Sequence, residues 1–293
     1  MNVFLTGATG WVGSAVVDDL IKAGHQVTGL ARDPEKAKAL AASGATVLLG
    51  TLDDLEVLHG AAKNADAVVH TAFNHDFSRF VENAQQDKRA IETLGAALQG
   101  SDRPLLVTSG VAMLAPGRLA TEADCLPPDH SFPRKSELAA QTLRAQGVRA
   151  ASIRLAPSVH GLGDHGFIPI LIRLARETGV AAYLGDGLNR WPGVHRFDAA
   201  RVYRLALDQG VSESAYHAVA DQGVAFKDIA TVIGRHLGLP VEPRSREHFG
   251  WFADFAGMDA PTSSERTRTL LNWTPTGPDL LSDIDQAGYF EQP

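Results

Sequence analysis

The stretch Thr6-Gly7-Ala8-Thr9-Gly10-Trp11-Val12-Gly13 decides the fold. It follows the apolar run Val3-Phe4-Leu5 and opens a helical pattern from Trp11 to Ala23, so it reads as strand, glycine turn and helix. Glycines let the backbone turn sharply and approach a ligand closely. The helix start then offers unpaired N–H groups and a partial positive charge to an anion. A tight turn without a ligand would use the same glycines, but this placement at a first strand and first helix favours a dinucleotide pyrophosphate.

Working outward, the second strand, Val27 to Leu30, runs into Ala31-Arg32-Asp33. An acid at the end of this strand would accept hydrogen bonds from the ribose of NAD. Ala31 removes that acid and Arg32 supplies a guanidinium suited to a 2′-phosphate, with Lys36 adding charge nearby. Asp33 is the alternative for the missing acid, but it precedes Pro34 and reads rather as the N-cap of the next helix. NADP(H) is therefore favoured over NAD(H).

Four further short apolar runs follow: Val47 to Leu49, Ala67 to His70, Leu105 to Thr108 and Ala151 to Leu155. Helical patterns separate them, including a long one from about Asp76 to Leu98. Alternation of this kind predicts an α/β fold with a Rossmann-type, doubly wound parallel sheet. After Leu155 glycine, proline and aromatic residues become frequent. The sequence thus divides into a nucleotide domain over 1–155 and a smaller C-terminal substrate lobe over 156–293, with 194–208 returning to the nucleotide domain.

The bulk composition excludes several function classes. A net charge of −7 over 293 residues, with both signs interspersed, does not suit nucleic acid or an anionic membrane. One cysteine, Cys125, allows no internal disulfide, and no Cys/His cluster has metal-ligand spacing. The N-terminus lacks the basic and apolar regions of a signal peptide. A cytoplasmic protein acting on a small molecule is the expectation.

These motifs resemble those of the short-chain dehydrogenase/reductases, in their atypical and extended, epimerase/dehydratase-like branch, over nearly the whole chain. Thr6 to Gly13 resembles the family's TGxxGxxG, His70-Thr71-Ala72 its fourth-strand segment beside the cofactor, and Val107-Thr108-Ser109-Gly110 the strand with its catalytic Ser or Thr. Arg154 to Gly161 resembles the segment that contacts nicotinamide, and Val194 to Asp198 the return from the substrate lobe. The resemblance implies a cofactor site of Gly7, Thr9, Gly10, Trp11, Val12, Gly13, Arg32, Leu52, Ala72, Phe73, Thr108, Pro157, Ser158 and Val159.

The family's Tyr, followed four residues later by Lys, is missing. Aligning Leu138-Ala139-Ala140-Gln141 puts Pro133 and Glu137 at those positions; a shift by one puts Phe132 and Ser136 there. Neither register supplies a phenol or an ammonium. Glu137 is left as an acceptor for ribose hydroxyls, and His160, Ser109 or water as the source of a proton. His75, His165, Phe167, Trp191 and Arg196 are expected along the substrate cleft. The overall expectation is hydride transfer to or from a small carbonyl, alcohol or conjugated substrate through a non-standard site. The alternatives are a sugar epimerase or dehydratase, and an NADP-binding sensor without turnover. The resemblance also implies a homodimer through the helices near 77–98 and 134–146.

Overall fold

The structure is a computed structural model and describes residues 1–127 and 130–291. The chain divides into two compact units. The first comprises Met1–Ser109, Pro127–Arg154 and Ala200–Tyr216; the second comprises Gly110–Leu126, Leu155–Ala199 and His217–Pro293.

The first unit is built on alternating strands and helices: β1 (Asn2–Thr6), α1 (Trp11–Lys22), β2 (Gln26–Ala31), α2 (Pro34–Ala42), β3 (Thr46–Leu49), α3 (Leu55–Lys63), β4 (Ala67–His70), α4 (Phe80–Leu98), β5 (Pro104–Gly110), α5 (Ser136–Ala145) and β6 (Arg149–Leu155). The large sheet has the strand order β10-β6-β5-β4-β1-β2-β3, where β10 is Ala215–Ala218. The pairs β1–β2, β1–β4, β2–β3 and β4–β5 are parallel. This is the doubly wound order, extended by β10, and it makes β1 the point where successive strands change sides. Parallel strands covered on both faces must be apolar throughout, and Val3, Phe4, Leu5, Val68, Val69, Leu105 and Leu106 are all buried. Ile91, Leu94 and Leu98 of α4 and Leu143 of α5 pack in the same core as Phe4, Val68 and Leu105.

The second unit carries β7 (Ser158–His160), α6 (Phe167–Thr178), β8 (Ala181–Leu184), β9 (Arg190–His195), the start of α7 (Arg196–Asp208), β11 (Asp221–Ala225), α8 (Phe226–Leu237) and β12 (Val241–Arg244). Four short helices follow: α9 (Arg246–Phe249), α10 (Ala253–Ala256), α11 (Glu265–Leu271) and α12 (Leu280–Ile284). Its small sheets are β11-β9-β7 and β12-β8. Its core is aromatic, with Trp191, Phe226 and Phe252 buried together. No helix among the described residues is long and apolar enough to cross a membrane.

Candidate active site

The glycine turn sits where β1 ends and α1 begins. Gly7 has φ +73°, and a Cβ there would stand 2.6 Å from the backbone nitrogen of Ala72. A Cβ on Gly13 would stand 2.0 Å from the Gly7 carbonyl oxygen. Both positions therefore exclude any side chain, by conformation and crowding at the first and by crowding at the second. Thr71 seals the turn by donating from Oγ1 to the Thr6 carbonyl at 2.8 Å. Gly10 is exposed at the N-cap of α1, while Thr9, Trp11 and Val12 are half-buried around it. No side chain caps α1, and no acid stands in its first turn. Such a helix start accepts an anion without displacing a carboxylate. These residues fit the pyrophosphate of a dinucleotide.

Beyond β2, Arg32 is exposed. Asp33 accepts the Glu35 N–H at 2.8 Å as the cap of α2, with Pro34 at the first helical position. That oxygen is engaged in the helix start. Leu52, after β3, packs half-buried against the unit's core.

A chain of buried polar groups joins the carboxyl ends of β1 and β4 to α4 and α5. Thr6 and His70 are register partners, and Thr6 Oγ1 shares a 2.8 Å hydrogen bond with His70 Nδ1. His70 Nε2 lies 3.0 Å from Asp87 Oδ1, and Ser136 Oγ donates to Asp87 Oδ2 at 2.5 Å. Arg134 Nε donates to Ser136 Oγ at 2.8 Å, and Arg134 Nη2 to the Thr108 carbonyl at 3.0 Å. Burial pushes the Asp87 carboxyl up, but hydrogen bonding to and the charge of His70, with Arg134 and Ser136, outweigh it and hold the group below its ordinary range. Thr108 Oγ1 donates to the His70 carbonyl at 2.8 Å, which leaves its lone pairs to accept from Tyr203 Oη, also at 2.8 Å. Burial pushes the Tyr203 phenol well above its usual value, so it stays protonated. Thr6, His70, Asp87, Ser136, Arg134 and Tyr203 are absent from the site expected from sequence. Asp87 carried a readable signal, being a carboxylate on the same stripe of α4 as Ala84, Ile91 and Leu94.

Ser109 is half-buried near the end of β5, and its hydroxyl has no hydrogen-bond partner among the described residues. Ala72 and Phe73 follow β4 half-buried, and His75 is exposed with its ring edge against Phe73. Glu137 is buried on α5 and pairs with the guanidinium of Arg154 on β6, at 2.9 Å from Nε and 2.5 Å from Nη2. Both carboxylate oxygens are thereby engaged within the protein, and Gln141 adds a third contact.

In the second unit, His160 has no exposed surface. Its Nδ1 lies 2.9 Å from Asp283 Oδ2, its ring edge meets His195, and Nε2 is buried without a partner among the described residues. Tyr289 Oη donates to the same Asp283 oxygen at 2.7 Å and accepts the Gly161 N–H at 2.7 Å. Ser158 is buried, while Pro157 and Val159 are half-buried. Trp191, expected on a cleft wall, lies in the aromatic core instead: it is 0% exposed and its indole N–H bonds the Phe255 carbonyl. Phe167 is half-buried against Phe252 and Phe255. His165 is exposed, and Arg196 lies half-buried over the ring of Phe197.

The family model that matches this chain is that of the NAD dependent epimerase/dehydratase family, over residues 3–219. An uncharacterized protein of Schizosaccharomyces pombe, C2A9.02, is 45% identical over 99% of this chain and 100% of its own length. The sterol-4-alpha-carboxylate 3-dehydrogenase (decarboxylating) of Dictyostelium discoideum is 28% identical over 78% of this chain and 74% of its own. Among solved structures, the Bordetella bronchiseptica enzyme WbmH in complex with NAD⁺ aligns with a TM-score of 0.76 at 20% identity, covering 99% of this chain and 98% of that one. The glycine turn, the doubly wound sheet and the family match agree: the chain belongs to the NAD dependent epimerase/dehydratase family.

Proposed function

We propose that the protein is an NADP(H)-dependent oxidoreductase acting on a small carbonyl, alcohol or conjugated substrate. The observation that carries this reading is the side-chain-free turn at Gly7 and Gly13, which opens onto the uncapped start of α1. The preference for a 2′-phosphate rests on Arg32, exposed at the end of β2, and on Asp33, whose carboxylate is committed to capping α2. A nicotinamide held at this site would supply or accept the hydride.

The chain's own residues supply the rest. The backbone N–H groups at the start of α1 hold the pyrophosphate. Ser109 is the hydroxyl near the carboxyl end of β5 left open to a substrate oxygen. Water then carries the proton, because His160 and Tyr203 are both fully buried and the Tyr203 phenol is spent on Thr108. A site with so little acid assistance suits a substrate whose reduction needs little protonation, such as an enone or an iminium. A homodimer would pair the outer faces of α4 and α5, and light scattering across micromolar concentrations tests it.

The test of the function is cofactor titration followed by turnover. NADPH is expected to bind at least about tenfold more tightly than NADH, and Arg32→Ala to erase most of that gap. NADPH consumption is then read against a panel of carbonyl, enone and imine compounds. Equal affinities for the two cofactors refute the NADP(H) assignment.

A further inference from the structure

We propose that Arg134 is the residue that anchors the nicotinamide half of the dinucleotide. The inference rests on the cofactor reading above. Arg134 precedes α5 and is half-buried, with its guanidinium 4.1 Å over the ring of Phe73. Nε is spent on Ser136 and Nη2 on the Thr108 carbonyl. Among the described residues Nη1 has no partner. A guanidinium has five N–H groups and does not shed its proton, so the remaining donors must meet water or a ligand.

The topology says which half of a ligand they meet. The turn after β1 holds the pyrophosphate, and β1 lies between β2 and β4 in the sheet. A dinucleotide centred on that turn runs one half toward β2, where Arg32 stands, and the other toward β4 and β5. Arg134 belongs to the β4 and β5 side. It bonds Thr108 of β5 and stacks on Phe73, the residue after Ala72, whose nitrogen closes on Gly7.

The charge balance says what kind of group it takes. Asp87 offsets the Arg134 charge through Ser136 Oγ, which donates to the carboxylate while accepting from Nε. Offset in part by a carboxylate shared with His70, and held in plane by two of its own bonds, the guanidinium works through the direction of its donors. It remains a directed donor to neutral oxygens, and the ribose hydroxyls and carboxamide of the nicotinamide half present them. Asp87 and Ser136 are then positioning residues, since they fix the guanidinium plane without touching the cofactor. The neighbouring cation, Lys135 at the N-cap of α5, is turned to His130 instead.

The test compares two ligands by calorimetry: NADPH, and adenosine 2′,5′-bisphosphate, which carries the adenosine end alone. Wild type, Arg134→Gln and Arg134→Lys are titrated with each. Loss of a charged hydrogen bond predicts about 10- to 100-fold weaker NADPH binding for Arg134→Gln, with bisphosphate affinity held within about twofold. Arg134→Lys keeps the charge and a donor and is expected to lose less. Retained bisphosphate binding also shows that the variant is folded. Unchanged NADPH binding in Arg134→Gln overturns the assignment, and so does an equal loss for both ligands, which marks a structural role. If wild type binds neither ligand, the cofactor reading itself fails, an outcome distinct from any effect at Arg134.

Discussion

Each unit buries an aspartate against a histidine, yet the two clusters end differently. In the first unit Asp87 holds His70 and Ser136, and the chain continues to Arg134, whose remaining N–H donors have no partner among the described residues. In the second unit Asp283 holds His160 and Tyr289, and Tyr289 terminates on the backbone N–H of Gly161. That circuit joins α12 and the turn after it to β7, and the atom it leaves without a partner among the described residues, His160 Nε2, is fully buried. Most buried polar groups are partnered, so partnering alone does not mark a site. What separates the clusters is whether the network ends on a half-buried guanidinium or on groups enclosed within the protein.

Removing each aspartate in turn tells the two clusters apart. Asp87→Ala strands His70, Ser136 and Arg134, and should cost about 3–5 kcal/mol in urea unfolding. It should also weaken NADPH binding, because the guanidinium loses its orientation. Asp283→Ala should cost about 3 kcal/mol by the same logic, while leaving the NADPH dissociation constant within about twofold. A large shift in NADPH affinity for Asp283→Ala would erase the distinction between the clusters.

Acid separates a third carboxyl from these two. Burial pushes both Asp87 and Asp283 up, but hydrogen bonds and the charge of their histidines outweigh it and hold both low. Their folded pKa lies below the unfolded value of about 3.9, so their contribution is complete above that pH and is lost as pH falls further. Asp164, in the loop before α6, is pushed up to about 6 by burial, against the Gly166 N–H that it accepts. Its sign is reversed: the charged form is disfavoured in the fold, so a penalty accrues between about pH 4 and 6 and is constant above. Asp164→Asn keeps the acceptor for Gly166 and removes the charge. It should stabilise the protein by up to about 3 kcal/mol at pH 8 and by nothing at pH 4, read from paired unfolding curves. A gain that is the same at both pH values would contradict the burial argument.

The smallest expected effect is at the rim. Arg32→Ala should cost about 1.4 kcal/mol of NADPH binding, a factor of about ten, with no loss of stability, because the side chain is exposed. The same substitution should leave NADH binding unchanged.

The sequence shows the turn, the six leading strands and the Asp33 cap because each is written in neighbouring residues. Val3-Phe4-Leu5 and Ala67-Val68-Val69 are short apolar runs, and Gly7 and Gly13 stand where no Cβ fits. The polar chain could not be read in the same way. Thr6 and Asp87 meet His70 only because β1 pairs β4 in register and α4 packs behind them. The Glu137–Arg154 pair likewise joins a helix to a strand 17 residues on. Reading Glu137 from its place in a helix pattern supplied a carboxylate but not the guanidinium that neutralises it. The aromatic texture after Leu155 did not separate core from wall, and Trp191 shows the difference.

The most direct test of the account is a crystal structure of the protein with NADP⁺ bound. The pyrophosphate is expected against the N–H groups at the start of α1, with the 2′-phosphate beside Arg32. A dinucleotide bound away from the Gly7 to Gly13 turn, or a 2′-phosphate with no contact to Arg32, would contradict it.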